Sequence, residues 1–226
     1  MNCKFKHNCK LQETGYCSEF CERFIKIDYL FMNSLIPENS LDPTSLFIDS
    51  DGSDRDIFSY LKSIQTNIED EVQSGINLYL YSETPGNGKT SWALRLLKAY
   101  IYTIWYKASL EPKALFINVP RYLLELKSNI DEKTFYIQHI KKYVMDCDIV
   151  IWDDIATKSA TEFEHEHLLS MIDYRLYNKK ANIFTSNVSP NELSDLLGSR
   201  LASRIINESR VLHFVGKDKR GLSWKL

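Results

Sequence analysis

Residues 76–90 read INLYLYSETPGNGKT, and their reading decides the fold. INLYLYS (76–82) is a short β-run, and a Gly/Pro turn follows it. Glu83-Thr84-Pro85-Gly86-Asn87-Gly88-Lys89-Thr90 then leads into a helix expected over 89–107. This octet fits the pattern G-x-x-x-x-G-K-[ST] except at its first position, where Glu83 stands for glycine. The chemistry needs these residue types. Gly86 and Gly88 allow the positive φ that turns backbone N–H groups toward phosphate. The helix N-terminus adds its positive dipole end. Lys89 can reach β- and γ-phosphates, and Thr90 can offer a hydroxyl to Mg²⁺. Pro85 to Ser91 is therefore the expected nucleotide-binding stretch, with ATP and Mg²⁺ as the implied ligands.

Outward from this loop the chain alternates strand and helix patterns. Ile57, Leu61, Ile64 and Ile68 recur at helical spacing, so the pattern predicts a helix over 54–72. Strands are expected at 114–119, 148–152, 182–187 and 210–216. Helices are expected at 120–128, 131–146, 160–179, 190–197 and 199–207. Such alternation means an α/β architecture with a mostly parallel sheet. Asp148-Ile-Val-Ile-Trp-Asp153-Asp154 is an apolar strand ending in acids, at the sheet edge where open α/β sheets bind ligands. Asp153 would hold Mg²⁺ through water, and Asp154 would activate or orient the attacking water. Asn187, ending NIFTSN, can bond both that water and a phosphate oxygen. The alternative for this stretch is a helix start, with Ser189 as the cap. Arg200 and Arg204 stand at i and i+4, on one helix face. One of them could complete a neighbouring subunit's site, and a solvated basic face is the competing reading.

The whole chain has 226 residues, 44% hydrophobic and 26% charged, with net charge −2. It can build a core, and as a whole it is not a basic nucleic-acid coat. No apolar run reaches the roughly 18 residues of a membrane span, and the N-terminus lacks a signal-peptide core, so a cytoplasmic location is expected. Four of the five cysteines crowd the start as Cys3-x5-Cys9-x7-Cys17-x3-Cys21. In a reducing compartment four thiolates suit a tetrahedral Zn²⁺ site, against the reading of unligated cysteines. Residues 1–33 thus form a Cys-rich module, 34–53 a Pro-, Ser- and Asp-rich linker, and 54–226 the main domain. Cys147 reads as a core residue.

The succession PGNGKT…WDD…TSN…SRLASRI, closed by Phe214-Val-Gly-Lys-Asp-Lys-Arg220, resembles the AAA+ ATPases. Specifically, it is similar to the DnaC/DnaI-type replicative helicase loaders and the related IstB transposition ATPases. The resemblance covers residues 54–226. It implies Walker A roles for Lys89 and Thr90, Walker B roles for Asp153 and Asp154, sensor 1 for Asn187, and an arginine finger at Arg204 or else Arg200. It also implies a sheet domain without a helical lid, a slow ATPase stimulated by assembly or DNA, and self-assembly with ATP. The partners implied are a DnaB-type helicase, docked through residues 1–33, and single-stranded DNA. Phe20, Phe24, Ile25 and Phe31 could fill a groove on that helicase, or pack on a metal knot. Arg121, Tyr122, Lys127, Lys133, Tyr136, His139, Lys141, Lys142 and Tyr143 mix base with aromatic in a way that can track DNA, or form a solvated helix face. Lys217, Lys219 and Arg220 form a second basic run. The compact chain suggests a phage or mobile-element version. An IstB-like transposition ATPase, and a nucleotide-gated inhibitor of a host helicase or its loader, remain the alternatives.

Overall fold

The computed structural model describes residues 9, 17, 18, 20–37, 52–107, 109, 111–128, 134–156 and 161–219. Helix α1 (Glu22–Asn33) comes first, followed by α2 (Arg55–Thr66) and α3 (Ile68–Gln73). The helix expected over 54–72 is thus broken at Asn67, whose φ of −111° leaves the helical region. Then come β1 (Asn77–Tyr81), α4 (Lys89–Ile104), a 3₁₀ turn over Trp105–Lys107, and β2 (Ala114–Asn118). They are followed by α5 (Val119–Ser128), α6 (Phe135–Tyr143), β3 (Ile149–Asp153) and α7 (Glu162–Tyr177). The chain continues through β4 (Ala181–Ser186), α8 (Pro190–Leu197), α9 (Ser199–Glu208) and β5 (Arg210–His213). Among the described residues no helix follows β5.

The five strands form one sheet in the order β2-β3-β4-β1-β5, and every pair is parallel. Side chains alternate between its faces. Leu78, Leu80, Ile149, Ile151 and Ile183 pack under α1 to α4. Tyr79, Ile117, Val150, Trp152 and Phe184 pack under α5 to α9. Because β3 and β4 are covered on both faces, every residue in them is buried.

Helix α1 lies on this domain. Ile27, Leu30 and Phe31 are buried within the α4-side core. Phe31 is therefore a core residue rather than a partner-facing one. Beyond the helix, the Ser34 carbonyl accepts from the N–H of Phe116 at 2.8 Å on edge strand β2. His139 Nε2 lies 2.8 Å from the Asn33 carbonyl, which makes that nitrogen the donor.

The sheet's N-terminal edge is tied by Arg175, which is fully buried on α7. Its Nε donates to Asn182 Oδ1 at 2.7 Å, and its terminal nitrogens donate to the carbonyls of Val144, Cys147 and Ala181 at 2.7, 2.8 and 2.6 Å. Burial holds this guanidinium's pKa down at about 10. Asn182 also accepts from Trp152 Nε1 and donates to Asn77 Oδ1, so one network joins α7, β1, β3 and β4. Arg175→Leu would remove the side-chain donor from the Val144, Cys147 and Ala181 carbonyls and leave Asn182 Oδ1 with Trp152 alone. It is expected to cost about 3 kcal/mol or more, at about 1–3 kcal/mol per orphaned group. Urea unfolding checks this, and an unchanged midpoint would show that the network is dispensable.

Candidate functional site

The loop between β1 and α4 is shaped by its glycines. Gly86 and Gly88 take φ of +76° and +106°, and Gly88 caps α4 in the left-handed region. Glu83 is not among the positive-φ residues, so the loop's first position has no need of glycine. Its side chain turns out to β5, with a carboxylate oxygen 3.0 Å from His213 Nε2. A hydrogen bond from its own backbone, and then His213, hold the Glu83 carboxyl below the usual range. The His213 ring in turn stacks on Tyr81 with centroids 4.4 Å apart.

Within the loop, Asn87 is fully buried. It donates to Ser82 Oγ at 2.7 Å and to the Phe214 carbonyl at 3.4 Å, bracing the loop against the ends of β1 and β5. The Lys89 ammonium is folded back onto the loop, 3.2 Å from the Thr84 carbonyl and 3.3 Å from Asn87 Oδ1. A cavity of about 190 Å³ is lined by Gly86, Asn87, Gly88, Lys89, Thr90, Ser91, Asp154 and Asn187. Pro85 is exposed and lies outside that lining. Backbone donors, a lysine and a helix N-terminus converge there, which fits a polyphosphate.

The acids meet this cavity through a hydroxyl relay. Thr90 Oγ1 and Thr185 Oγ1 both donate to Asp153 Oδ1 at 2.8 Å. Asn118 Nδ2 approaches Asp153 Oδ2 at 3.4 Å. The Thr185 hydroxyl also accepts from the N–H of Asp154 at 3.0 Å. Asp154 itself sits at φ +55°, a left-handed conformation that Asp adopts more readily than most side chains. A buried carboxylate beside a threonine hydroxyl suits Mg²⁺. Thr185 and Asn118 are site residues that motif reading did not single out. Their signal is positional, since each lies at or near the C-terminal end of a strand beside β3.

Arg200 and Arg204 line another groove, of about 570 Å³ between α7 and α9. It shares no lining residue with the phosphate-loop cavity. Arg204 Nε pairs with Asp173 Oδ1 at 2.9 Å.

The proposed DNA-tracking stretch is corrected at several positions. Tyr122 is fully buried, with its hydroxyl on Met171 Sδ, and Tyr136 and His139 are buried too. Arg121 lies over the Tyr136 ring and pairs with Glu125 at 2.7 Å. Their apolar faces serve the α5–α6 core, so they offer no stacking platform. Lys219 is buried over the Phe58 ring, while Lys133 and Arg220 lie outside the described residues. Cys3 also lies outside them. Cys9, Cys17 and Cys21 carry free thiols, and among the described residues no three His, Cys, Asp or Glu side chains gather to hold a metal. Cys147 is a buried core thiol. No described helix is long and apolar enough to cross a membrane.

A parallel sheet in the order β5-β1-β4-β3-β2, with a phosphate loop after β1 and acids ending β3, defines an AAA+ ATPase fold. The chain belongs to the bacterial DnaA ATPase domain family, which matches residues 59–208, about two-thirds of its length. Among solved structures it is similar to the DnaC helicase loader, with a TM-score of 0.62 at 21% identity over 79% of this chain and 99% of that one. It is similar to DnaI, with a TM-score of 0.61 at 18% identity over 80% of this chain and 95% of that one. It is also similar to replication initiator DnaA bound to AMPPCP and single-stranded DNA, with a TM-score of 0.57 at 19% identity over 77% of this chain and 50% of that one. The chain thus spans half of that DnaA structure. No curated protein sequence matches it.

The loop yields a direct test. A Cβ on Gly86 would fall 1.9 Å from Asp218 Oδ1, at a φ that disfavours any side chain. Gly86→Ala is expected to weaken ATP binding about tenfold or more, from roughly 1–3 kcal/mol of backbone strain. Gly52→Ala, at φ +75° but outside the loop, is the control for unaffected affinity in a nucleotide titration.

Proposed function

We propose that this protein is an ATP-dependent loader of a DnaB-type ring helicase onto single-stranded DNA. The observation that carries the reading is the division of the nucleotide machinery. The phosphate loop, Asp154 and Asn187 line one cavity, Asp153 adjoins it through its bond from Thr90, and the arginines line a separate groove. One copy therefore holds the nucleotide and offers its arginine elsewhere, as an ATP-dependent assembly needs. The family and the likeness to DnaC and DnaI supply the helicase and the replication setting.

In this mechanism Lys89 leaves the loop carbonyls for the phosphates, and the backbone at Gly86 to Thr90 cradles them. Thr90 and Asp153 would hold Mg²⁺, which supplies charge neutralisation on the phosphate oxygens. Asp154 takes a proton from the attacking water, Asn187 fixes that water by hydrogen bonding, and Arg204 of the adjoining copy meets the developing charge. Residues 54–226 form the ATPase domain, 34–53 the linker and 1–33 the docking part. Docking falls to the outer face of α1, where Ile25 and Met32 are exposed, with Phe20 just before the helix.

Native mass spectrometry of the protein with its cognate ring helicase, with and without ATP, tests the reading. A helicase ring carrying several copies of this chain is expected, together with hydrolysis stimulated by single-stranded DNA. No complex under either condition, or a preference for duplex DNA, would overturn it in favour of a transposition-type ATPase. Thr185→Val removes the hydroxyl that orders both acids. It should lower hydrolysis about 10–100-fold while leaving ATP affinity nearly unchanged. Equal loss of affinity and rate would instead give Thr185 a role in building the pocket.

A further inference from the structure

We infer that Asp173 is the residue that aims Arg204, holding its guanidinium so that its terminal nitrogens face a neighbouring copy. The inference rests on the proposed role of Arg204 in assembly-dependent hydrolysis and adds to it a positioning residue on a different helix. The geometry supports this on three counts. First, the bond uses one edge of the guanidinium. Arg204 Nε is 2.9 Å from Asp173 Oδ1, and Nε is the donor nearest the side-chain stem. An arginine carries five N–H donors in a planar fork, so the edge formed by the two terminal nitrogens stays available for a phosphate.

Second, both partners stand on rigid supports. Asp173 lies on α7 between Ile172 and Arg175, both fully buried, and Arg175 is fastened by the four bonds described above. Arg204 lies on α9 beside Ile205 and near Leu201 and Ala202, all buried. The pair therefore ties an otherwise long, adaptable side chain to two helices whose flanking residues are buried in the core. Third, the pair sits in the groove that also holds Arg200, Glu166, Tyr174 and Tyr177. Tyr177 is 88% exposed and Tyr174 45%, so aromatic surface flanks the arginines. Exposed tyrosine next to arginine is the composition of a contact surface.

The pair is half exposed, with side-chain exposures of 50% for Arg204 and 35% for Asp173. Exposed ion pairs contribute little to stability. Losing this one should therefore show in catalysis and leave folding alone. That separates aiming from a structural role. It also separates aiming from a brake, in which Asp173 would withhold Arg204 and its loss would speed hydrolysis.

The experiment compares Asp173→Asn, Asp173→Glu and Arg204→Ala for ATP hydrolysis at concentrations where the chain assembles. ATP affinity and thermal melting are measured in parallel. Asp173→Asn is expected to lower kcat about tenfold or more, the cost of a small misplacement of a reacting group. ATP affinity and melting should stay unchanged, and Asp173→Glu should recover part of the rate. Unchanged or faster hydrolysis in Asp173→Asn, with Arg204→Ala inactive, would overturn the aiming role while sparing the role of Arg204. Full activity in Arg204→Ala would overturn both.

Mixing adds a readout that a folding defect would not move. Lys89→Ala subunits, which donate an arginine, combined with Arg204→Ala subunits, which hold ATP, should regain hydrolysis. Adding Asp173→Asn to the Lys89→Ala subunit should lower the regained rate about tenfold or more, and adding it to the Arg204→Ala subunit should not. Equal loss in both placements would overturn the inference.

Discussion

One carboxylate oxygen, Asp153 Oδ1, accepts hydrogen bonds from two threonine hydroxyls, and the C-terminal edge of the sheet is organised around that pairing. Thr90 brings the first turn of α4, and with it the phosphate loop. Thr185 brings β4. Both hydroxyls act over 2.8 Å in a buried setting, where polar groups are costly unless partnered. The arrangement fixes three segments far apart in sequence to within one bond length of each other. It also fixes Asp154, because the Thr185 oxygen that donates to Asp153 accepts from the Asp154 backbone. The left-handed turn after β3 is thereby held in place. Arg175 does the corresponding work at the other edge of the sheet, and strand register between the two ends is left little freedom.

The loop's departure at Glu83 follows from the same economy of backbone geometry. Positive φ is needed at Gly86 and Gly88, where the chain turns its N–H groups inward. It is not needed four residues before Ser82's neighbourhood closes on Asn87, so a side chain at position 83 meets no steric bar. The carboxylate is drawn out to His213 on β5, away from the cavity that Lys89 and Thr90 line. An acid inside that cavity would oppose phosphate, and this one is held outside it.

Much of the architecture was legible because it depends on local patterns. Apolar runs of strand length, helical spacing of Leu and Ile, and the loop glycines place β1 to β5 and α4 to α9 within a few residues. The break at Asn67 was hidden, since the apolar spacing runs on through Ile68 while the helix axis changes. The site's motif residues were legible because each carries distinctive chemistry at a strand end. Thr185 and Asn118 were less so, since their roles arise from strand order: β2 and β4 flank β3 only once the sheet is assembled. Register places Asn118 directly opposite Asp153. The misreading of Tyr122, Tyr136 and His139 has a simple cause. Base and aromatic side chains interleave in sequence, yet helices α5 and α6 sort them by face, with the Tyr122, Tyr136 and His139 rings inward. Phe31 was misplaced for the same reason, because α1 has a face of its own on the core.

The separation of Arg204 from its own phosphate loop then takes on weight. Within one chain the two lie in different cavities that share no lining residue. In the proposed assembly an arginine placed this way would act on a neighbour's nucleotide, and hydrolysis would report on assembly. Such a device is useful only if the isolated copy turns over slowly. Asp154 is consistent with that: a carboxyl one methylene shorter than glutamate reaches less far toward the attacking water. Its left-handed backbone fixes where that shorter arm begins. On the proposed reading, the idle rate of one copy and the aim of the arginine in the next would be set by different residues, Asp154 in the turn after β3 and Asp173 on α7. Selection could tune either without disturbing the phosphate cradle.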